Sequence, residues 1–125
     1  MKKKILIVED EPVLLDALVD TFTHEQYDVL TARDGEAGLN IALQSHPDCI
    51  LLDIIMPIMD GTHMLQVLRK DPWGEKVHVI ILTNVANPQV ESDSVLQGAG
   101  EYLIKTDWKL EDIVKKVKQK IGDCV

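Results

Sequence analysis

Short apolar runs rich in β-branched residues alternate along this chain with stretches whose apolar residues recur every three to four positions. The first pattern suits a buried strand and the second an amphipathic helix. Strands are expected over about 4–9, 28–32, 48–53, 77–82 and 101–104. Pro12 sits well for the first turn of a helix carrying Leu14, Leu15, Leu18 and Phe22 at helical spacing. Asp34 is the expected cap of a second helix reaching about Gln44, and Pro47 blocks its continuation. A third helix follows Gly61 to about Lys70, where Asp71-Pro72-Trp73-Gly74 interrupts the pattern. Asn87-Pro88 opens a fourth, and Gly98 with Gly100 closes it. The last helix is opened by Trp108 and shows one apolar stripe: Leu110, Ile113, Val114, Val117 and Ile121.

Such alternation argues for an α/β fold with a parallel sheet covered on both faces, and the nearly all-apolar run over 77–82 suits a central strand. Five βα units favour a doubly wound, five-stranded sheet with five helices in the flavodoxin-like order 2-1-3-4-5, joined by right-handed crossovers. The 125 residues fit one domain, 1–125, with no linker, repeat or low-complexity segment.

Carboxylates stand where two of these strands run out. Glu9 and Asp10 follow Lys4-Ile5-Leu6-Ile7-Val8, and Asp53 follows Asp48-Cys49-Ile50-Leu51-Leu52. In the order 2-1-3-4-5 the first and third strands are neighbours, so these acids meet at the switch point where open α/β sheets bind ligands. Like charges gathered there need a cation, and a divalent ion with the help of a lysine, Lys105, supplies it. Magnesium takes hard oxygen ligands and keeps several waters, so Asp10, Asp53 and one backbone carbonyl suffice to hold it.

Composition excludes more than it identifies. Twenty-one acids against 13 bases give a net charge of −8, which repels a phosphate backbone and argues against direct nucleic-acid binding. The longest apolar runs are strand-sized, and Lys2-Lys3-Lys4 leads into a strand pattern rather than a signal-peptide core, so no membrane association is expected. Cys49 and Cys124 read as reduced thiols and point to a cytoplasmic protein. His24, His46, His63 and His78 lack metal-ligand spacing and are expected in surface or packing roles, and Trp73 is expected to pack beside a loop.

Read in order, the motifs resemble the receiver domain of two-component response regulators over essentially the whole length. They are Ile7-Val8-Glu9-Asp10-Glu11, Asp53 before Met56-Pro57 and Gly61, Thr83 after the fourth strand, and Gly98-Ala99-Gly100-Glu101-Tyr102-Leu103-Ile104-Lys105. The resemblance implies a phosphoprotein of signal transduction in which Asp53 receives a phosphoryl group from a sensor histidine kinase or a histidine phosphotransfer protein, with Mg2+ required. It implies that Ile55 gives the backbone carbonyl to the metal, that Glu9 acts mostly through water, and that Thr83 and Lys105 contact the phosphoryl group. Tyr102 would turn inward as Thr83 moves, changing the surface of the fourth helix, fifth strand and fifth helix, with a homodimer possible through that face. The first helix, near Pro12, Leu14 and Leu15, would dock the donor. No enzyme activity is implied beyond self-phosphorylation and autodephosphorylation.

Two positions depart from that pattern. Asn84 replaces the usual small residue after the threonine, and Thr106 replaces the proline that commonly follows the lysine, leaving cis and trans both open there. Apolar Ile55 and Val85 flank the expected path of hydrolytic water, so slow loss of the phosphoryl group is expected. A flavodoxin-like cofactor binder would share the architecture, but Glu9-Asp10-Glu11 has the wrong charge to cradle a phosphate and no glycine-rich loop is present. A degenerate receiver acting as a phosphorylation-independent interaction module is the remaining alternative, and the intact set Asp10, Asp53, Thr83 and Lys105 argues against it.

Overall fold

The computed structural model describes residues 2–122. In chain order the elements are β1 (Lys4–Val8), α1 (Pro12–His24), β2 (Asp28–Ala32), α2 (Gly35–Ser45), β3 (Cys49–Leu52) and α3 (Gly61–Leu68). Then come β4 (His78–Thr83), α4 (Pro88–Leu96), β5 (Glu101–Ile104), a 3-10 turn (Lys105–Asp107) and α5 (Leu110–Ile121). The five strands are parallel in the order β2-β1-β3-β4-β5, the doubly wound arrangement expected from the alternation of patterns.

Strand periodicity divides the core between two faces. Leu6, Val8, Ile50, Leu52, Val79 and Ile81 point to the side where Ala42, Met64, Leu65 and Leu68 of α2 and α3 pack. Ile5, Ile7, Cys49, Leu51, Ile80, Leu82 and Leu103 point to the other, against Leu15, Leu18 and Phe22 of α1 and Ile113, Val114, Val117 and Ile121 of α5. Each fully buried aliphatic side chain contributes about 1.5–3 kcal/mol relative to its exposed state. A one-residue slip of any central strand would exchange the two sets, so burial also fixes the register that sets where each strand ends.

Local chemistry places the helix starts. The Asp34 side chain accepts from Ala37 N at 2.8 Å, Asp60 accepts from His63 N at 2.8 Å, and Asn87 accepts from Gln89 N at 2.9 Å. Pro12 and Pro88 occupy first-turn positions, and Gly98, at φ +83°, follows the end of α4. The residue at the N-cap of α1 is Glu11 and makes no side-chain cap bond, so the acids of β1 are not explained by capping.

Some boundaries differ from expectation. α3 stops at Leu68 rather than Lys70, because Lys70 N and Asp71 N turn back to Val67 O and Leu68 O while Asp71 Oδ1 takes the amides of Trp73 and Gly74. Trp108 does not open α5: its backbone is extended, Lys109 is the N-cap, and its ring packs against the α1/α5 side of the core with Lys116 Nζ 5.3 Å from the ring centroid. Trp73 packs at its loop as expected, stacked on His46 at 4.3 Å, and all four histidines are exposed. The Lys105–Thr106 peptide is trans. Among the described residues no helix is long and apolar enough to cross a membrane.

Cys49 is fully buried in β3, and burial pushes its thiol up to about 12, whereas Cys124 lies outside the described residues. A thiolate is the reactive form. Native protein treated with iodoacetamide at pH 8 is therefore expected to leave Cys49 unmodified, while denatured protein is alkylated there; peptide mass mapping reads the difference, and fast native modification would contradict the packing of β3.

Candidate functional site

Parallel strands of matched register deliver their ends to one edge. Val8 pairs with Leu52, Leu52 with Ile81, and Thr83 with Ile104. The ladder continues one residue beyond β1 and β3, since Asp53 N donates to Val8 O and Glu9 N to Ala32 O, both at 3.0 Å. Glu9 and Asp53 are thereby held on backbone as rigid as the sheet itself, with 2% and 5% of their surface exposed.

One oxygen from each of Glu9, Asp10 and Asp53 lies within 4.8 Å of the other two. Two carboxylates about 4 Å apart repel by roughly 4 kcal/mol at an effective dielectric of 20, so the cluster needs compensation. Lys105 provides part of it. Its Nζ lies 2.8 Å from Glu9 Oε1, 3.0 Å from Asp53 Oδ2 and 3.8 Å from Glu11 Oε1. Burial alone would depress the Lys105 pKa, but its hydrogen bonds to Glu9 and Asp53 outweigh burial and raise it. Glu9 is raised as well, first by burial and also by the charge of Asp53, against the lowering effects of Lys105 and of the Glu11 amide, which donates to Glu9 Oε2 at 3.1 Å. Three carboxylates and one ammonium leave the cluster formally at −2.

A cleft of about 200 Å³ opens above this group, lined by Asp10, Glu11, Asp53, Ile55, Thr83, Asn84 and Lys105. The strand ends thus bring together Asp10, Asp53, Thr83 and Lys105, with Glu9 in contact beneath through Lys105. Asn84 and Ile55 are exposed at the cleft, Ile55 at 66%. Tyr102 stands outside it, half-buried, and its hydroxyl donates to Val85 O at 2.6 Å. Val85 N in turn donates to Thr83 Oγ1 at 3.3 Å, so one loop residue is tied to both side chains. A hydroxyl that accepts one bond still has a proton to donate.

Gly61 matters to the position of Asp53. A Cβ there would lie 2.0 Å from the Asp53 carbonyl oxygen, and Gly61 N donates to Ile54 O at 2.8 Å, which closes the β3–α3 connection tightly beneath the acid. Glu11 was not foreseen as part of the site. The signal was its place in the acidic run, obscured by the helix start at Pro12.

The geometry has close counterparts. The profile of the response regulator receiver domain matches residues 5–118. The chain belongs to the response regulator receiver family. A solved CheY-like receiver domain protein from Methanospirillum hungatei JF-1 superposes with a TM-score of 0.90 at 29% identity, over 97% of this chain and 94% of that one. The receiver domain of sensor histidine kinase PA1611 from Pseudomonas aeruginosa PAO1, solved with a magnesium ion coordinated in its active-site cleft, superposes at 0.87 with 27% identity, covering 98% of this chain and all of that one, 100%. Among curated relatives, the DNA-binding dual master transcriptional regulator RpaA of Synechocystis is 33% identical over 92% of this chain and 47% of its own length. The probable transcriptional regulator ycf27 of Porphyridium aerugineum is 32% identical over 96% of this chain and 50% of its own. This receiver domain spans about half the length of those two relatives, and the charge argument against nucleic acid speaks for residues 1–125 alone.

Removing the ammonium tests the electrostatic account. Lys105→Met is expected to destabilise the metal-free protein at neutral pH by about 1–3 kcal/mol, because two buried carboxylates lose a charged partner. Glu9 already binds its proton more tightly folded than unfolded, so its contribution falls as pH rises from the ordinary 4.5 through its raised folded value. Without Lys105 that window extends upward. Urea unfolding should show the deficit shrinking as pH falls toward 4.5 or as MgCl2 is added, by linkage to protonation and binding; a deficit independent of both contradicts the account.

Proposed function

We propose that Asp53 is the phosphoacceptor of a receiver unit formed by residues 1–125, taking its phosphoryl group from a sensor histidine kinase or histidine phosphotransfer protein. The observation that carries this reading is the convergence of Asp10, Asp53, Thr83 and Lys105 around one cleft at the carboxyl edge of the sheet. An Asp53 oxygen bonds to phosphorus while the donor's P–N bond breaks and its electron pair returns to the imidazole nitrogen.

The all-oxygen set of Glu9, Asp10 and Asp53 fits magnesium. An octahedral ion with ligands at about 2.1 Å spans at most about 4.2 Å between opposite oxygens. One oxygen from each of the three acids lies within 4.8 Å of the other two, so a single ion would be within reach of the set. Asp10, Asp53 and the Ile55 carbonyl would hold the ion, with Glu9 acting through water. When bound it supplies charge compensation for the phosphoryl oxygens. Lys105, released in part from Asp53, pairs with another phosphoryl oxygen as a compact point charge. The Thr83 hydroxyl donates to a third. Its movement pulls on Val85, and through the Val85 carbonyl on Tyr102, so phosphorylation biases a two-state loop rather than building a new fold.

The surface of α4, β5 and α5 is then the output face, with a symmetric dimer as one outcome. The start of α1, where Val13 is 85% exposed beside half-buried Leu14, is the donor's docking surface. Activity is confined to self-phosphorylation and autodephosphorylation. The convergence of the full set of groups gives a phosphorylation-independent module no support.

Incubation with acetyl phosphate and magnesium is expected to add the mass of one phosphoryl group to wild type and none to Asp53→Ala, and chelation with EDTA should abolish the gain. Modification of the variant to the same extent would refute the assignment. Loss of the group is expected to be slow, since apolar Ile55 lines the cleft, whereas Val85 is not among its lining residues; rapid loss in magnesium buffer would contradict that role.

A further inference from the structure

α4 is poorly rooted by apolar burial. Of its residues only Ser94 is buried, and the Ser94 hydroxyl has no hydrogen-bond partner among the described residues. Val95 and Leu96 are 55% and 83% exposed. By contrast α5 buries Ile113, Val114, Val117 and Ile121. Packing of an apolar face is what ordinarily holds a surface helix to its sheet, and α4, with only half-buried Val90 packed on the core, leans on another attachment.

Arg69, the residue that caps α3, is placed to provide it. Its half-buried guanidinium reaches backbone carbonyls of two separate segments. Nε donates to Gln97 O at 2.7 Å and Nη2 to Gly98 O at 2.9 Å, both at the carboxyl end of α4. Nη1 donates to Gly74 O at 2.7 Å and Val77 O at 2.8 Å, in the connection between α3 and β4. A planar fork of donors suits this bridging as an ammonium does not. The terminal carbonyls of a helix lack internal partners and carry partial negative charge, which favours a cation there. α4 has no basic residue in its own last turn. Gly98 leaves room for the contact, since a Cβ at that position would lie 3.2 Å from Arg69 Nε. The opposite end of α4 starts from a local Asn87 cap, after the loop that carries Val85.

We propose that Arg69 is the fixed pivot of α4: it pins the carboxyl end of the helix to the α3–β4 connection, so that switching moves the amino end and the loop before it. The direction of motion rests on the phosphorylation reading above, whereas the pinning does not. Because none of Arg69's hydrogen bonds reaches a residue lining the cleft, it acts on the output face by positioning alone.

Residue-resolved amide hydrogen exchange tests both parts on the full chain. In unphosphorylated Arg69→Gln, the amides of Gln97, Gly98 and Ala99 are expected to exchange about tenfold faster or more while those of Leu51 and Ile80 keep wild-type protection, the sign of a local rather than global opening. Arg69→Lys, which keeps the charge but cannot span both segments, is expected to show a smaller rise at the same amides, and it decides the matter if Arg69→Gln does not fold. Unchanged exchange at 97–99, or a uniform rise across the sheet, overturns the pinning. In phosphorylated wild type the change should fall on the amides of 84–87 and 89–91 and leave 97–99 within about twofold; a larger change at 97–99 overturns the pivot. Failure of any phosphoryl transfer would sink the Asp53 assignment instead, and the unphosphorylated arms would still decide the role of Arg69.

Discussion

The site depends on one electrostatic constraint: buried carboxylates at the ends of two neighbouring strands repel each other, and the fold permits them only where a cation is supplied. Lys105 is that cation within the chain, shared between Glu9 and Asp53 at 2.8 and 3.0 Å. It does not neutralise the cluster. With Asp10 included, the excess negative charge favours a hard divalent cation, and the metal-assisted phosphoryl transfer proposed above rests on that charge.

Such a cluster would be costly on loops free to relax, because the side chains would simply move apart. Here the backbone hydrogen bonds of Glu9 and Asp53 extend the β ladder by one residue, so the apolar core that fixes strand register also fixes the spacing of the acids. Gly61 contributes from below by letting the chain pass against the Asp53 carbonyl. Rigidity at the strand ends contrasts with α4, which buries a single side chain and is tied by Arg69 at one end and by loop contacts at the other. A stiff sensing edge beside a loosely held helix is a physical basis for a small local change having a larger effect at the surface.

Much of this was legible in the sequence, for reasons that can be named. Strand order followed from alternating patterns, and the meeting of Asp10 with Asp53 followed from that order. Asp34, Asn87-Pro88 and Gly98 act through short-range backbone geometry and therefore mark their helix ends directly. What escaped depended on distant or competing contacts. The end of α3 at Leu68 reflects Asp71 capturing two amides of its own turn, and the displaced start of α5 reflects Trp108 packing sideways onto the core. Glu11 joined the cleft through proximity to Lys105, and Arg69 found acceptors among carbonyls, which every residue carries and no sequence pattern displays.

The most direct test of the central claim is a magnesium titration followed by amide chemical shifts of residues 9–11 and 53–56 in wild type and in Asp10→Asn. The account predicts saturable one-to-one binding centred on those residues and an affinity at least about tenfold weaker in the variant, as expected for the loss of a charged ligand from a site that binds by carboxylate charge. Equal affinity in the two proteins, or shifts spread over the surface without saturation, would contradict it.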